Sequence, residues 1–226
     1  MNRGLATAAV ALLLVSLVAG CSAKPGNNAS AGPTAPPVLS AGQHASAVFQ
    51  PAVTYTVPAG WTNPVDDLAY FQLMPTNDQA NGIHLFHNWR ALSQAADCPY
   101  SPEPGVGTSA SELVTWIRSR KGLSVTPPTL VTVAGLPATM INLSVAPNWK
   151  QSCSFANGLP AVPLFIDETQ QLHWVVAGSE TLRLYLLDLP GNGTMIVNLD
   201  SFDGVGFPNL LTAGSPIVKS LVFATK

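Results

Sequence analysis

The chain has 226 residues and a formal net charge of −2, and only 10% of its residues are Asp, Glu, Lys or Arg. Charged residues supply about a quarter of a typical soluble protein, so surface polarity here must come from Ser, Thr, Asn and Gln. No basic field exists to hold nucleic acid or an anionic lipid surface, which excludes nucleic acid as a partner.

The first segment is an export signal. Arg3 supplies positive charge, and Leu5 to Val18 is almost wholly Ala, Val and Leu. As a helix this run rises about 1.5 Å per residue, roughly 20 Å in all, short of a ~30 Å hydrocarbon core. That length suits the apolar region of a signal peptide over residues 1–20 rather than a permanent span. The run ends in Leu17-Val18-Ala19-Gly20-Cys21, which resembles the lipobox of bacterial lipoproteins. The resemblance implies cleavage before Cys21 and acyl chains of the palmitate type on that residue. Two or three chains, at about 0.8 kcal/mol per buried methylene, hold a protein on a membrane far more firmly than one. The expected location is therefore the extracytoplasmic face of the cell membrane, in the envelope.

After Cys21 comes "SAKPGNNASAGPTAPPVLSAGQHAS", rich in Pro, Gly, Ser and Asn and poor in large apolar residues. Such a stretch buries too little surface to offset its ordering entropy. Residues 21–47 are expected to be a tether, with a coil reach of about 25–30 Å. The remaining residues, 48–226, suffice for one domain with its own core. With Cys21 acylated, Cys98 and Cys153 remain and admit one pairing, which an oxidising compartment favours. In the chain-entropy model a loop of that size is worth at most about 4 kcal/mol.

In chain order, Val53, Tyr55 and Val57 alternate with Thr54 and Thr56 as a period-2 strand, and Trp61 follows Pro58-Ala59-Gly60 as a core plug. "LAYFQLM" and "GIHLFHNW" predict two more strands across the turn-rich "PTNDQANG". "TSASELVTWIRSRKG" predicts a helix capped at Thr108 or Ser109, with Glu112 in its first turn. Leu113, Trp116 and Ile117 share one face, Arg118, Arg120 and Lys121 gather at the C-terminal end, and Gly122 stops it. "TLVTVAGLPATMINLSV" predicts a hairpin turning at Ala134-Gly135. "LHWVVAG", "TLRLYLLDL" and "TMIVNLDSF" add three strands, the last two joined at Gly191-Asn192-Gly193. A helix from about Pro208 runs into a final strand at "IVKSLVF".

"YTVPAGW", "DCP", the second cysteine, "LYLLDLPGNGTMIVNLDSFDG" and "SPIVKSLVF" together resemble exported lipoproteins and sensor-type modules of high-GC Gram-positive bacteria. The strand–helix–strand close is similar to the Mog1/PsbP-like fold. The resemblance implies an α+β domain: a largely antiparallel sheet with one main helix and a C-terminal helix packed on it. It also implies binding or scaffolding, with a membrane contact through the anchor and an envelope protein, glycan or lipid as partner.

No residue is assigned as catalytic, cofactor-binding or metal-ligating. His84 and His87 stand three apart, which on a strand sends them to opposite faces; whether His173 approaches them is open. Asp66 and Asp67 suit loop or capping roles. Asp188 and Asp200 sit near the ends of paired strands and are the one acid/base pair worth weighing for an envelope hydrolase. The competing reading for Asp200 and Asp203 is turn and cap hydrogen bonding. There is no Gly-x-Ser-x-Gly elbow and no complete phosphate loop. Trp149, in the polar loop "APNWKQSC", is the candidate partner contact. Two placements are open for it: an exposed anchor beside the disulfide, or a plug folded back on the sheet.

Overall fold

The computed structural model describes residues 36–224. In chain order the first strands are β1 (Val38–Leu39), β2 (Gly42–Ala45), β3 (Val53–Val57), β4 (Trp61–Asp66), β5 (Tyr70–Pro75), β6 (Asn81–His87) and β7 (Arg90–Ala91). Helix α1 (Ala110–Arg118) precedes β8 (Leu123–Val125), β9 (Thr129–Val133) and β10 (Leu136–Val145). A single 3₁₀ turn at Ser154–Ala156 leads to β11 (Ala161–Ile166), β12 (His173–Ala177), β13 (Thr181–Leu189) and β14 (Gly193–Ser201). Helix α2 (Phe207–Lys219) and β15 (Val222–Phe223) finish the described chain.

Nine strands form one antiparallel sheet in the order β1-β4-β5-β6-β14-β13-β10-β8, with β9 paired to β10. Two three-stranded sheets flank it, β15-β3-β2 and β12-β11-β7. This is an α+β architecture of mostly antiparallel strands with two helices, as expected. The central strands β6, β13 and β14 are buried over almost their whole length because the sheet is covered on both faces.

Pleat alternation sorts the core into two clusters. On one face Met195, Val197 and Leu199 of β14 join Ile83, Leu85, Phe71 and Leu73. Leu210, Ile217 and Val218 of α2 and the β15-β3-β2 sheet cover that side. On the other, Ile196, Phe86, Leu182, Leu184 and Leu186 meet Leu113, Trp116 and Ile117 of α1, together with the β12-β11-β7 sheet.

Local signals account for the ends of elements. Ser109 caps α1 as half of a capping box, its hydroxyl accepting from the Glu112 backbone N–H while the Glu112 carboxylate accepts from the Ser109 N–H. The β9–β10 hairpin turns through Ala134 and Gly135, both at positive φ (53° and 76°), the pair of left-handed residues that a two-residue hairpin turn requires. Gly122 serves close approach: a Cβ there would lie 2.7 Å from Trp149 and from Val162.

Order begins earlier than the tether reading allowed. Residues 38–45, expected to be tether, form β1 and β2. These short polar strands carry little local signal and are held by their partners: β1 pairs with β4 at the edge of the large sheet, and β2 pairs with β3. β7, β8 and β11 also lie in stretches not expected as strands. β11 is a continuous apolar run broken by Pro163, where its pairing with β12 shifts register, so it shows neither alternation nor an unbroken ladder.

Candidate functional site

Cys21 lies outside the described residues. Cys98 and Cys153 are joined, with Cα atoms 5.7 Å apart, tying the loop before α1 to the turn that leads into β11. Trp149 is folded back as a plug. Its ring is half-buried against the second cluster, and its Nε1–H donates to the Ala161 carbonyl at 2.9 Å. Of the two placements open for this residue the plug is the one seen: the glycine at position 122 makes the niche that receives the indole. The exposed aromatic beside the disulfide is instead Tyr100, 48% accessible. Its ring lies 4.5 Å from that of His173 and 5.7 Å from that of Phe155.

The two histidines of β6 point to opposite faces, as their spacing required. His87 lies on the α2 side, its ring 6.5 Å from Phe49, with Nε2 hydrogen-bonded to the Asn192 carbonyl at 2.5 Å. His84 faces the second cluster, and His173 packs with Tyr100 and Phe155. Asp66 accepts the backbone N–H groups of Ala47, Val48 and Phe49, a loop-holding role. Asp203 accepts those of Val205 and Gly206 just before α2.

Asp188 and Asp200 are not a pair. The register sets Asp188 opposite Thr194 and Asp200 opposite Leu182, at opposite ends of the β13–β14 hairpin. Asp188 accepts from the Ala110 N–H (2.8 Å) and the Thr194 hydroxyl (2.8 Å), fastening the start of α1 to the sheet.

Asp200 has a different carboxyl neighbour, Glu180, in the turn between β12 and β13. Both are buried, at 8% and 3% accessibility. Glu180 accepts the Ala177 N–H at 2.8 Å. Asp200 lies 3.8 Å from Nε2 of His84, and the other ring nitrogen of His84 is hydrogen-bonded to the Tyr70 hydroxyl at 3.0 Å. Trp174 of β12 lies over this group, its ring 4.5 Å from His84 and 5.2 Å from Phe86. Asn198, directly across the ladder from His84, is fully buried, and neither its amide nitrogen nor its oxygen has a partner; Asp200 Oδ1 and Trp174 Nε1 are also unpartnered.

Burial disfavours charge throughout the cluster. It raises the Glu180 carboxyl well above the ordinary range, and the neighbouring Asp200 raises it further. Asp200 is raised by burial as well. His84 is pushed down to about 3 by burial, so it is a neutral imidazole. Tyr70 is raised by burial and then by Asp200 and Asp67.

The concave ground of the surface lies elsewhere. A groove of about 390 Å³ runs beside α1 past Val106, Glu112 and Trp116, and another of about 430 Å³ lies on the β1–β4–β5 edge between Val38 and Met74. Among the described residues no three His, Cys, Asp or Glu side chains converge on a metal-sized gap, and no helix is long and apolar enough to cross a membrane.

No protein-family model matches the chain, and no curated protein is similar to it in sequence. Solved structures with a similar course of chain include CyanoP, the cyanobacterial PsbP of Synechocystis sp. PCC 6803. It is 7% identical over 86% of this chain and 99% of that one, with a TM-score of 0.43. LpqN of Mycobacterium tuberculosis, involved in cell envelope biogenesis, is 13% identical over 81% of this chain and 92% of its own, with a TM-score of 0.39. A protein of Bacteroides thetaiotaomicron VPI-5482 is 10% identical over 77% of this chain, with a TM-score of 0.39. The present chain spans 46% of that protein's length.

Proposed function

We propose that the protein is a lipid-anchored domain of the extracytoplasmic envelope that works by binding a partner rather than by catalysis. The anchor reading rests on Cys21 at the end of an export segment, and the Cys98–Cys153 bond suits the same oxidising compartment. The observation that carries the binding reading is the placement of the acids. A hydrolytic pair needs an opening for substrate and water, whereas Glu180 and Asp200 are both buried and Asp188 is spent on fastening the start of α1. The exposed aromatic is Tyr100 instead, packed on Phe155 and on His173 at the start of β12, with Tyr100 and Phe155 each two residues from a bridged cysteine. Aromatic rings on pre-ordered loops lose little entropy on binding and recur as interface hot spots.

Two measurements test this. Metabolic labelling with a fatty-acid analogue should mark the wild type and leave Cys21→Ala unmarked; equal labelling of both defeats the anchor. A photo-crosslinking residue at position 100 of the intact protein in its native membrane should capture a discrete envelope component, while one at position 149 should not. Capture at 149 alone, or at neither position, defeats the assignment of the surface.

A further inference from the structure

We propose that β9 is a pairing edge for a second copy of this chain, the two strands lying antiparallel about a two-fold axis at Val131. β9 lies at a margin of the large sheet. It pairs with β10, and among the described residues no strand lies on its other side. The hairpin turn decides which of its groups face outward. In a two-residue hairpin the residues next to the turn exchange hydrogen bonds, and bonded and non-bonded pairs then alternate. Val133, Val131 and Thr129 therefore bond to their partners Leu136, Ala138 and Met140. The backbone N–H and C=O groups of Leu130 and Thr132 point away from the sheet.

The strand carries none of the devices that shield such an edge. Leu130 is 84% accessible, Thr129 and Thr132 are exposed, and residues 129–133 include no charge, no proline and no bulge. The other sheet margins are shorter or better covered. β1, β7 and β15 have two residues each, β8 has three, β2 has four, and the five of β12 are mostly half-buried. An exposed, neutral, unpaired strand is a template for another strand, and its own copy fits it. Two-fold pairing sets Leu130 against Thr132 of the second copy, and each such pair exchanges both N–H···O=C bonds. Val131 meets Val131 of the second copy on the axis, continuing the apolar layer to which Val131 and Val133 belong. No like charges meet along the strand, and a formal charge of −2 over 226 residues gives little repulsion between copies. Pro127-Pro128 stop the edge at one end and the Ala134-Gly135 turn stops it at the other. The register centred on Val131 is thus the one that pairs both strands over their whole length, and two-fold symmetry closes the assembly at two copies.

The test is Val131→Cys in the intact protein, oxidised in its native membrane. At a non-hydrogen-bonded antiparallel position the Cα atoms lie about 4.5 Å apart, within the ~4.4–6.8 Å that a disulfide spans. A species of twice the chain's mass should appear on non-reducing gels, and mass spectrometry should show residue 131 linked to itself. Ser124→Cys, exposed on β8 at the same margin, should give no such species. Adding Leu130→Lys, which sets two like charges astride the axis, should abolish the linked species. If Val131→Cys does not fold, a photo-crosslinking residue in place of the exposed Leu130 decides, since it should capture the region of Thr132 in a second copy. A Val131→Cys protein that stays monomeric, equal linking through Ser124→Cys, linking undiminished by Leu130→Lys, or capture of a different protein at position 130 overturns the pairing.

Discussion

The two faces of the large sheet are built from alternate residues of the same strands, yet they are different materials. On the α2 side β14 contributes Met195, Val197 and Leu199, and the cluster is mostly apolar, with the rings of Tyr55 and Tyr185 among its buried side chains. On the α1 side the same strand contributes Ile196 and then Asn198 and Asp200, so the apolar packing gives way to a seam of unpartnered and titratable groups. One pleat step separates a mostly apolar layer from one that buries an unpartnered amide and a carboxyl. Stability on the first side should be indifferent to pH, and on the second it should not.

The sharpest way to break this contrast is to damage the apolar side. Phe71 is fully buried and touches the rings of Phe49 and Tyr55 at 5.8 and 5.3 Å. Phe71→Ala should cost about 3–5 kcal/mol through lost burial and the cavity left behind. Urea unfolding at pH 5 and pH 9 should give the same loss at both. A loss that shrinks or grows with pH would mean the two faces are not independent.

The disulfide belongs to the other side, holding the loop that leads into β11. Replacing Cys98 and Cys153 by Ser should cost about 2–4 kcal/mol without abolishing the fold, because both apolar clusters remain. Hydrogen exchange should quicken first in β11 and β12. Equal loosening of β3 would place the bond's effect on the whole domain rather than on one layer.

Next in size is the slope of stability with pH. Glu180 and Asp200 carry raised values, so the native state binds more protons than the unfolded one above the ordinary carboxylate range. Their stabilisation is therefore complete in acid and lost as pH rises, with a slope of at most about 1.4 kcal/mol per unit for each group. His84 is lowered to about 3 and acts in the opposite sense. It strips stability as pH falls from its unfolded value toward 3, and contributes no slope above about 6.5. The optimum should thus be mildly acidic, and Asp200→Asn should move it toward neutrality. A wild-type optimum at pH 8 or above would contradict the sign.

Much of this was legible because it is local. The capping box at Ser109 and Glu112, the Ala134-Gly135 turn and the opposite facing of His84 and His87 each depend on residues within one element. The acid pair was not, because its members are strangers in sequence. Glu180 follows Gly178-Ser179, which suggests an exposed turn, and Asp200 looked like a partner for Asp188 until the hairpin register set them apart. One signal was present: Asn198 and Asp200 interrupt "TMIVNLDSF" where a strand buried on both faces should stay apolar. β1, β2 and β11 were missed for a related reason, since the first two depend on partners distant in the chain and the third is interrupted by Pro163.

The smallest effect concerns how α1 is fixed to the titrating side. Its first turn is held twice, by the Ser109 hydroxyl accepting from the Glu112 N–H (3.3 Å) and by Asp188 accepting from the Ala110 N–H (2.8 Å). The Glu112 carboxyl is lowered chiefly by its side-chain hydrogen bond to Ser109, so the box is complete only while that group is ionised. Ser109→Ala should cost about 1 kcal/mol, read as a small shift of the urea midpoint at pH 7. Because protonating Glu112 dismantles the same box, the cost should shrink as pH falls through the carboxylate range. Asp188→Asn should weaken the second fastening and leave the Glu112 titration in place. A Ser109→Ala cost that is unchanged at pH 3 would mean that Asp188, and not the capping box, holds the start of the helix.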